Sequence, residues 1–359
     1  MSVSPLARLL AERIREHGPI TVADYMAAAL GHPEHGYYMG RDPFGRGGDF
    51  TTAPEISQMF GEIVGLWCVV VWQMMGQPGR VVLVELGPGR GTLMSDILRA
   101  AATVPAFGKA AEIHLVETSP TLRARQRETL KGVEVAWHER FEQVPDGPLL
   151  LVANELFDAL PIRQYEKRQG LWHERLIGLD TAGGLAFVLG PEAGPDVAPG
   201  VRDAPDGSLA EVCEAGRALA AALADRIARH GGAALIIDYG PAASAPGDSL
   251  QAVRSHQYHP VLETPGEADL TAHVDFQALA ESARTARVWG PLAQGELLMR
   301  LGITARAGIL ARSGGPEVVA DVTRQLRRLI DPAEMGTLFK TLAITHPALP
   351  PPPGFERLS

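Results

Sequence analysis

Four short apolar segments alternate with segments of helical periodicity in the middle of the chain. The helical pattern from Leu209 to Arg229 precedes a fifth apolar segment and ends at Gly231-Gly232, as helices commonly end. Strands that are apolar along their whole length and separated by helices are typical of a parallel sheet covered on both faces. The five segments are VVLVEL (81–86), AEIHLVE (111–117), VEVAW (133–137), LLLVAN (149–154) and AALIID (233–238), and a last strand is predicted at FKTLAIT (339–345).

Two further regions have patterns of their own. Residues 162–208 contain IRQYEKRQ, LWHERLIGL and LAFVLG, separated by turn residues and followed by the segment PEAGPDVAPGVRDAPDG. This pattern predicts an antiparallel meander and then a surface loop. The apolar run from Ile63 to Met75 is well short of the roughly 20 residues needed to span a bilayer. It predicts a buried helix and no membrane insertion.

These patterns divide the chain into a sheet-forming core and added regions. The amphipathic segment MSVSPLARLLAERIREHG contains Glu12 and Glu16, which favour a folded first helix over a targeting segment. The predicted division is a helical N-terminal region (1–80), a core (81–161, 231–290 and 336–349), a meander plus helix insertion (162–230) and a helical insertion (291–335). The apolar residues of these insertions are compatible with a homodimer interface.

Charge and cysteine content exclude some functions. The chain of 359 residues has 33 basic and 42 acidic residues, a formal net charge of −9, which disfavours a polymeric nucleic acid as partner. Its two cysteines, Cys68 and Cys213, form neither a disulfide framework nor a metal-ligand cluster. This usage predicts a cytoplasmic protein without a metal.

A glycine-rich loop directly follows the first of these strands. The stretch VELGPGRGTL contains Gly87, Gly89 and Gly91 at every second position and then a helical pattern. Glycines there let the backbone turn sharply and approach a ligand, and the free N–H groups of the following helix suit a nucleotide. The dinucleotide fingerprint needs a third glycine where this chain has Thr92. NAD is therefore disfavoured.

The spacing instead resembles motif I of class I S-adenosylmethionine-dependent methyltransferases, with the acidic Glu85 two residues before the first glycine. Glu117 ends the second strand, where a carboxylate can accept hydrogen bonds from both ribose hydroxyls. An NAD enzyme would place an acid there too, and a solvated acid at a strand end is the plain alternative. The pattern also has an adenine-binding acid after the third strand, but here Arg140 or Phe141 occupies that position.

Longer stretches resemble the MidA-like methyltransferases almost from end to end. The resemblance implies a Rossmann-like class I methyltransferase fold that binds S-adenosylmethionine. The family includes a mitochondrial complex I assembly factor that methylates an arginine, so a protein acceptor such as a respiratory complex I subunit is implied. The matching stretches are HPEHGYYM (32–39), GDFTTAPEISQMFGE (48–62), VELGPGRGTL, ANELFDALPI (153–162), LIIDYG (235–240), ADLTAHVDF (268–276), QGELLMRLGI (294–303) and MGTLFKTLAI (335–344).

Residues 47–55, which overlap the second of these matching stretches, predict a lid that closes over the cofactor. Gly48, Asp49 and Thr51 combine a small residue, a carboxylate and a hydroxyl just before a helix, a composition that suits a ligand-closing loop. An ordinary helix start, with Thr51 or Thr52 as the cap, is the alternative.

The segment after the fourth strand carries the candidate catalytic residues. Asn154, Glu155 and Asp158 follow LLLVAN, and ligands of open α/β sheets bind outside such strand ends. A carboxylate there can hold the fork of an arginine acceptor, so Glu155 is the first candidate and Asp158 the second. A solvated Asp158 and a helix-start Glu155 are the alternatives. Asp238 and His273 are weaker candidates for the same rim.

Together these features predict a class I methyltransferase that acts on a protein arginine. Two other functions are compatible with the same motifs: a non-catalytic assembly factor that binds S-adenosylmethionine as a structural ligand, and a small-molecule methyltransferase. The first would keep the glycine loop without needing Glu155.

Overall fold

The computed structural model describes residues 4–40, 52–312 and 314–356. These residues form helices, a large central sheet and two smaller sheets. The helices are α1 (Pro5–His17), α2 (Val22–Gly31), α3 (Ala53–Ile56), α4 (Gln58–Met74), α5 (Thr92–Ala101), α6 (Pro105–Ala110), α7 (Pro120–Thr129), α8 (Pro199–Arg202), α9 (Glu214–His230), α10 (Phe276–Ser282), α11 (Gln294–Arg300), α12 (Ile303–Arg312), α13 (Pro316–Ile330) and α14 (Met335–Leu338). The strands are β1 (Ile20–Thr21), β2 (Val81–Leu86), β3 (Ala111–Val116), β4 (Val135–His138), β5 (Leu149–Asn154), β6 (Arg163–Arg168), β7 (Leu171–Leu179), β8 (Leu185–Glu192), β9 (Leu209–Val212), β10 (Gly232–Tyr239), β11 (Gln251–Arg254), β12 (Gln257–His259), β13 (Asp269–Thr271), β14 (Arg287–Ala293) and β15 (Phe339–Thr345).

The central sheet has the strand order β14-β15-β10-β5-β2-β3-β4. The five strands from β10 to β4 are parallel to one another, whereas β15 is antiparallel to both of its neighbours. The order reverses between β2 and β5, because β2 lies between β3 and β5 while the chain passes through β3 and β4 first. This reversal opens a crevice at the carboxyl ends of β2 and β5, where α/β sheets bind ligands.

Alternate residues of the central strands enter two cores on opposite faces of the sheet. Leu83 of β2 packs in a cluster with residues of α4 and α5, whereas Val82 and Val84 pack with residues of α9 and α10. Helix α4 lies very close to α5, since a Cβ on Gly65 would stand only 2.8 Å from the backbone of Ile97. The predicted mixed α/β fold and the buried helix after Ile63 are thus confirmed.

The two smaller sheets flank this core. An antiparallel sheet has the order β1-β7-β6-β9, with β8 also paired to β7, and the third sheet has the order β12-β11-β13. A separate apolar cluster joins α1 and α2 to residues of both sheets, including Ile177 of β7 and Leu270 of β13. The predicted antiparallel meander therefore exists and packs against the N-terminal helices.

Several boundaries differ from the sequence prediction. The helical pattern predicted from Leu209 was wrong at its start, because residues 209–212 form β9 and the helix begins at Glu214. Ala210 and Val212 are buried while their neighbours are half-exposed, which is the two-residue period of a strand. Strand β4 begins two residues later than predicted. Neither β14 nor the third sheet was predicted.

The predicted surface loop after the meander is partly buried. It contains the short helix α8, and the side chains of Val197 and Val201 pack against Tyr165 and Trp172. Its glycine, proline and aspartate content suggested exposure, but three of its apolar residues, Val197, Val201 and Ala204, are buried against one end of the second sheet. No helix within residues 4–40, 52–312 and 314–356 is both long and apolar enough to cross a membrane.

Candidate active site

The glycine loop lies at the carboxyl end of β2 and connects it to α5. Gly87, Gly89 and Gly91 all have positive φ angles, of 62°, 51° and 81°, which side-chain-bearing residues adopt only with strain. A Cβ on Gly87 would also lie 2.8 Å from Leu156 Cδ1. The loop thus requires glycine for both conformation and space.

Next to this loop is a cavity of about 350 Å³. Residues from seven parts of the chain form its walls: α2 and the segment after it, the residue before α3, the glycine loop, the end of β3 with the start of α7, the turn after β5, the end of β10, and the third sheet. The lining residues are Ala27, Leu30, Gly31, Tyr38, Met39, Thr52, Gly87, Gly89, Glu117, Thr118, Leu122, Glu155, Leu156, Asp158, Ala159, Leu160, Pro161, Tyr239, Gln251, Val253, Asp269 and Thr271.

The carboxylate of Glu117 is fixed at one side of this cavity. Its Oε1 accepts a 2.8 Å hydrogen bond from the Ser119 amide, and its Oε2 accepts one of 3.2 Å from Gln126 Nε2. The same Gln126 nitrogen donates to the Gly89 carbonyl at 2.8 Å. Gln126 therefore connects the predicted ribose-binding acid to the glycine loop. Burial raises the pKa of Glu117.

A smaller cavity of about 40 Å³ also borders the glycine loop and includes Glu85 and Asn154 in its walls. Glu85 Oε2 and Asn154 Oδ1 are buried, and neither has a hydrogen-bond partner among the described residues. Burial raises the pKa of Glu85 to about 8. Two buried acceptors without a donor suit a cationic amino group, such as that of the methionine part of S-adenosylmethionine. The residues present thus fit this cofactor.

The turn after β5 carries the two candidate catalytic carboxylates. Glu155, half-buried with a φ angle of 51°, accepts hydrogen bonds through Oε1 from the Ala53 amide (2.9 Å) and from Asn154 Nδ2 (3.1 Å). Burial, with a smaller contribution from the charge of Asp158, raises the pKa of Glu155 to about 7. Both carboxylates line the main cavity.

Asp158 is buried, and burial raises its pKa to about 6. Its carboxylate interacts with the Tyr239 hydroxyl, whereas its Oδ1 has no hydrogen-bond partner within the described ranges. Behind it, Asp238 accepts hydrogen bonds from the amides of Phe157 (2.9 Å) and Asp158 (3.2 Å). Asp238 is 0% exposed and does not line the cavity, so it fixes the turn rather than contacting a ligand.

The remaining candidate residues from the sequence analysis either do not line the main cavity or lie outside the described residues. Gly91 is the N-cap residue directly before α5 and lines neither cavity. His273 is exposed and does not line the main cavity; its ring packs edge-on against the Tyr239 ring, 5.7 Å between centroids, and its amide donates to Ser249 Oγ at 2.8 Å. Arg140 is exposed and Phe141 is in the core. Gly48, Asp49 and Thr51 lie outside the described residues, so the lid stays a prediction.

Sequence reasoning missed the cavity residues that come from outside the central sheet. Tyr38 donates a 2.8 Å hydrogen bond to Asp269 Oδ1, and its carbonyl accepts one of 2.6 Å from Ser119 Oγ. Tyr38 lies in HPEHGYYM and Asp269 in ADLTAHVDF, and both residues were noted only as part of the family resemblance. Within residues 4–40, 52–312 and 314–356, no group of three or more His, Cys, Asp or Glu side chains is arranged to hold a metal.

The strand order and the glycine loop at the switch point define a class I methyltransferase fold. The sequence model of the family described as "Putative S-adenosyl-L-methionine-dependent methyltransferase" matches residues 63–292. A crystal structure of a Burkholderia thailandensis protein bound to S-adenosyl-homocysteine has a TM-score of 0.86 and 30% identity, covering 98% of this chain and 94% of that one. The chain belongs to this family of S-adenosylmethionine-dependent methyltransferases, and S-adenosylmethionine is its cofactor.

Curated relatives are similar over nearly the whole chain. The protein named "Protein arginine methyltransferase NDUFAF7, mitochondrial" is 39% identical in Danio rerio, over 94% of this chain and 86% of the relative. The human protein of the same name is 37% identical, over 95% and 83%. The homologue in Drosophila melanogaster is 40% identical, over 94% and 84%.

The predicted cytoplasmic location is wrong on this comparison, because these relatives are all named as mitochondrial proteins. The prediction rested mainly on two cysteines that form no disulfide framework. Cysteine usage distinguishes oxidising from reducing compartments, and it does not distinguish one reducing compartment from another.

Proposed function

We propose that this methyltransferase transfers the methyl group to the guanidinium of an arginine in a protein acceptor. The observation that carries the proposal is the pair of carboxylates, Glu155 and Asp158, in the cavity beside the glycine loop. Burial raises the pKa of both groups, so each carboxylate is destabilised until a cation approaches it. The names of the curated relatives as protein arginine methyltransferases support the same acceptor.

A guanidinium needs help because it is always cationic and its lone pair is delocalised. A carboxylate that accepts two of its N–H groups holds the fork and localises the charge. Glu155 has one oxygen bound to Ala53 and Asn154, which fixes the orientation of the carboxylate. Its pKa near 7 also suits it to accept the proton that the guanidinium loses on methylation.

The cofactor supplies an electrophilic methyl group, so the protein mainly provides proximity and alignment. We assign the methionine amino group to Glu85 and Asn154, the ribose to Glu117, and the close backbone approach to Gly87 and Gly89. Tyr239 holds Asp158 beside the acceptor. From the MidA-like resemblance, the proposed acceptor is a respiratory complex I subunit or a chain like it.

A homodimer also remains a proposal. Ile309 of α12 and Val318 and Val319 of α13 are exposed apolar side chains, and a second copy of the chain would cover them. Light scattering at micromolar concentration tests this, and a monomer there would contradict it.

The test of the acceptor uses methyl-labelled S-adenosylmethionine and a lysate of the protein's own organism. We expect the label on an arginine of a polypeptide, identified by mass spectrometry. Glu155→Gln should bind S-adenosyl-homocysteine almost normally but transfer methyl groups about a hundredfold more slowly or worse. Asp158→Asn should have a milder effect. Glu112→Gln, at an exposed glutamate paired with Arg80, is the matched control and should behave as wild type.

The outcomes separate the alternatives. Label on another residue type would contradict the arginine acceptor, and label on a small molecule would favour a small-molecule methyltransferase. A wild-type rate for Glu155→Gln would contradict the role of this carboxylate. If the wild-type protein labels nothing, the non-catalytic assembly factor becomes the better explanation.

A further inference from the structure

One face of the third sheet forms a wall of the main cavity. In the β11–β13 ladder, Gln251 is opposite Thr271 and Val253 is opposite Asp269. Directly opposed residues share a face of a sheet, and all four of these residues line the cavity. One wall of the cavity is therefore a sheet surface.

The opposite face of this sheet is fixed in the core. Ala252 and Leu270, which alternate with the cavity residues, are 1% and 2% exposed and pack with α1 and α2. This packing sets the orientation of the sheet. The contacts of Ala252 and Leu270 with α1 and α2 therefore keep the other face of the sheet directed toward the cavity.

The same face continues beyond the cavity to an exposed aromatic side chain. In the β11–β12 ladder, Tyr258 is opposite Val253 and so lies on its face, yet it does not line the cavity. Tyr258 is 84% exposed, whereas the other exposed large apolar side chains of the described residues lie between 38% and 50%. We call Gln251, Val253, Tyr258, Asp269 and Thr271 the acceptor face.

The turn that positions Tyr258 has a demanding backbone conformation. Ser255 and His256, which connect β11 to β12, have φ angles of 52° and 61°. Two-residue hairpin turns with two positive φ angles favour Asn, Asp and Gly. A turn built from two other residues is strained, and such strain concentrates at functional sites.

We propose that the polypeptide flanking the acceptor arginine of a protein substrate docks along the acceptor face, with Tyr258 as its aromatic anchor. This inference rests on the proposed function. The cavity supplies the carboxylates of Glu155 and Asp158 for the cationic side chain, and the continuous sheet face leads from there to Tyr258. Exposed tyrosines are typical anchors of protein interfaces. A small acceptor confined to the cavity would not reach this side chain.

The test compares two methyl acceptors of different size. The first is a mixture of synthetic peptides with one arginine between randomised residues, and the second is Nα-acetyl-arginine amide. We expect Tyr258→Ala to raise KM for the peptides about tenfold with kcat unchanged, and to leave both constants for the amide unchanged. Tyr258→Phe should restore most of the peptide affinity. Leu171→Ala, at another exposed side chain (47%), is the matched control and should behave as wild type.

Each other outcome has a distinct meaning. Unchanged peptide kinetics in Tyr258→Ala would contradict the inference, as would an equal loss with both acceptors. If wild type methylates the amide but no peptide, arginine chemistry stands and docking on this face is wrong. If wild type methylates neither acceptor, the proposed function itself fails and the inference fails with it.

Discussion

The carboxylate of Glu117 can accept more hydrogen bonds than its neighbours in the protein donate to it. An ionised carboxylate can accept about four hydrogen bonds, and the Ser119 amide and Gln126 provide two of them. These contacts hold the carboxylate at the cavity wall, where two hydroxyl groups of a ribose can use the remaining lone pairs. The structural and the ligand-binding roles of this residue are therefore compatible.

We expect Glu117→Ala to weaken S-adenosyl-homocysteine binding by roughly tenfold to a hundredfold, because hydrogen bonds to a charged acceptor contribute about 1.5–3 kcal/mol. Isothermal titration calorimetry measures this directly. Glu128→Gln, at an exposed glutamate paired with Arg125, is the control. Wild-type affinity in Glu117→Ala would show that the ribose lies elsewhere.

Among the structural elements, the glycine loop is where a single added Cβ atom should most affect ligand binding. Gly89 has a φ angle of 51° and lines the cavity, whereas Gly132 has a φ angle of 88° and no neighbouring atom within 4 Å of the position that a Cβ would take. Both residues would suffer the cost of a left-handed side chain. Only a substitution at Gly89 would place that side chain against a ligand.

We therefore expect Gly89→Ala and Gly132→Ala to lose a similar 1–2 kcal/mol or so of unfolding free energy, while only Gly89→Ala loses more than about tenfold in cofactor affinity. Urea denaturation and calorimetry measure the two quantities. An equal affinity in the two variants would contradict close backbone approach at Gly89.

The elements that the sequence predicted well are those with one dominant pattern. Strands β2, β5 and β15 match their predicted bounds, because short segments rich in aliphatic and β-branched residues favour a buried strand over a helix. The short strands of the third sheet were missed, since three or four residues with one polar face carry too little periodicity. Strand β9 was merged with α9 because its four residues fit a helical pattern equally well.

The same distinction applies to the candidate site. Glu117 and Glu155 follow β3 and β5, the two strands that flank β2. The carboxyl ends of parallel strands meet at one edge of the sheet, so their shared cavity could be anticipated. Tyr38, Asp269 and Thr271 reach the cavity only because α1, α2 and the third sheet pack together. No local pattern encodes that packing.

For the whole molecule, the buried carboxylates make stability depend on pH in an unusual direction. Burial raises the pKa of Glu85 to about 8, of Glu155 to about 7 and of Asp158 to about 6. An acid whose pKa is higher in the folded than in the unfolded state contributes stability below its unfolded pKa. That contribution is lost as the pH rises through the folded pKa. The ligand-free protein should therefore lose stability from about pH 4 to about pH 8.

Glu155→Gln isolates one part of this effect. At about pH 4 the wild-type side chain is mostly protonated in both the folded and the unfolded state, so the variant should have nearly the same free energy of unfolding as wild type. At about pH 8 the wild-type carboxylate carries a desolvated charge that glutamine lacks. One pKa unit corresponds to about 1.4 kcal/mol, and water on the cavity side reduces the cost, so we expect the variant to be about 2 kcal/mol more stable there. Urea denaturation of the ligand-free protein across this range measures the difference.

Glu112→Gln should show no such gain, because Arg80 lowers the pKa of Glu112 and makes its charge favourable to folding at neutral pH. A stability difference between Glu155→Gln and wild type that stays constant with pH would mean that Glu155 is ionised in the folded protein throughout, and its proposed role as proton acceptor would then be wrong.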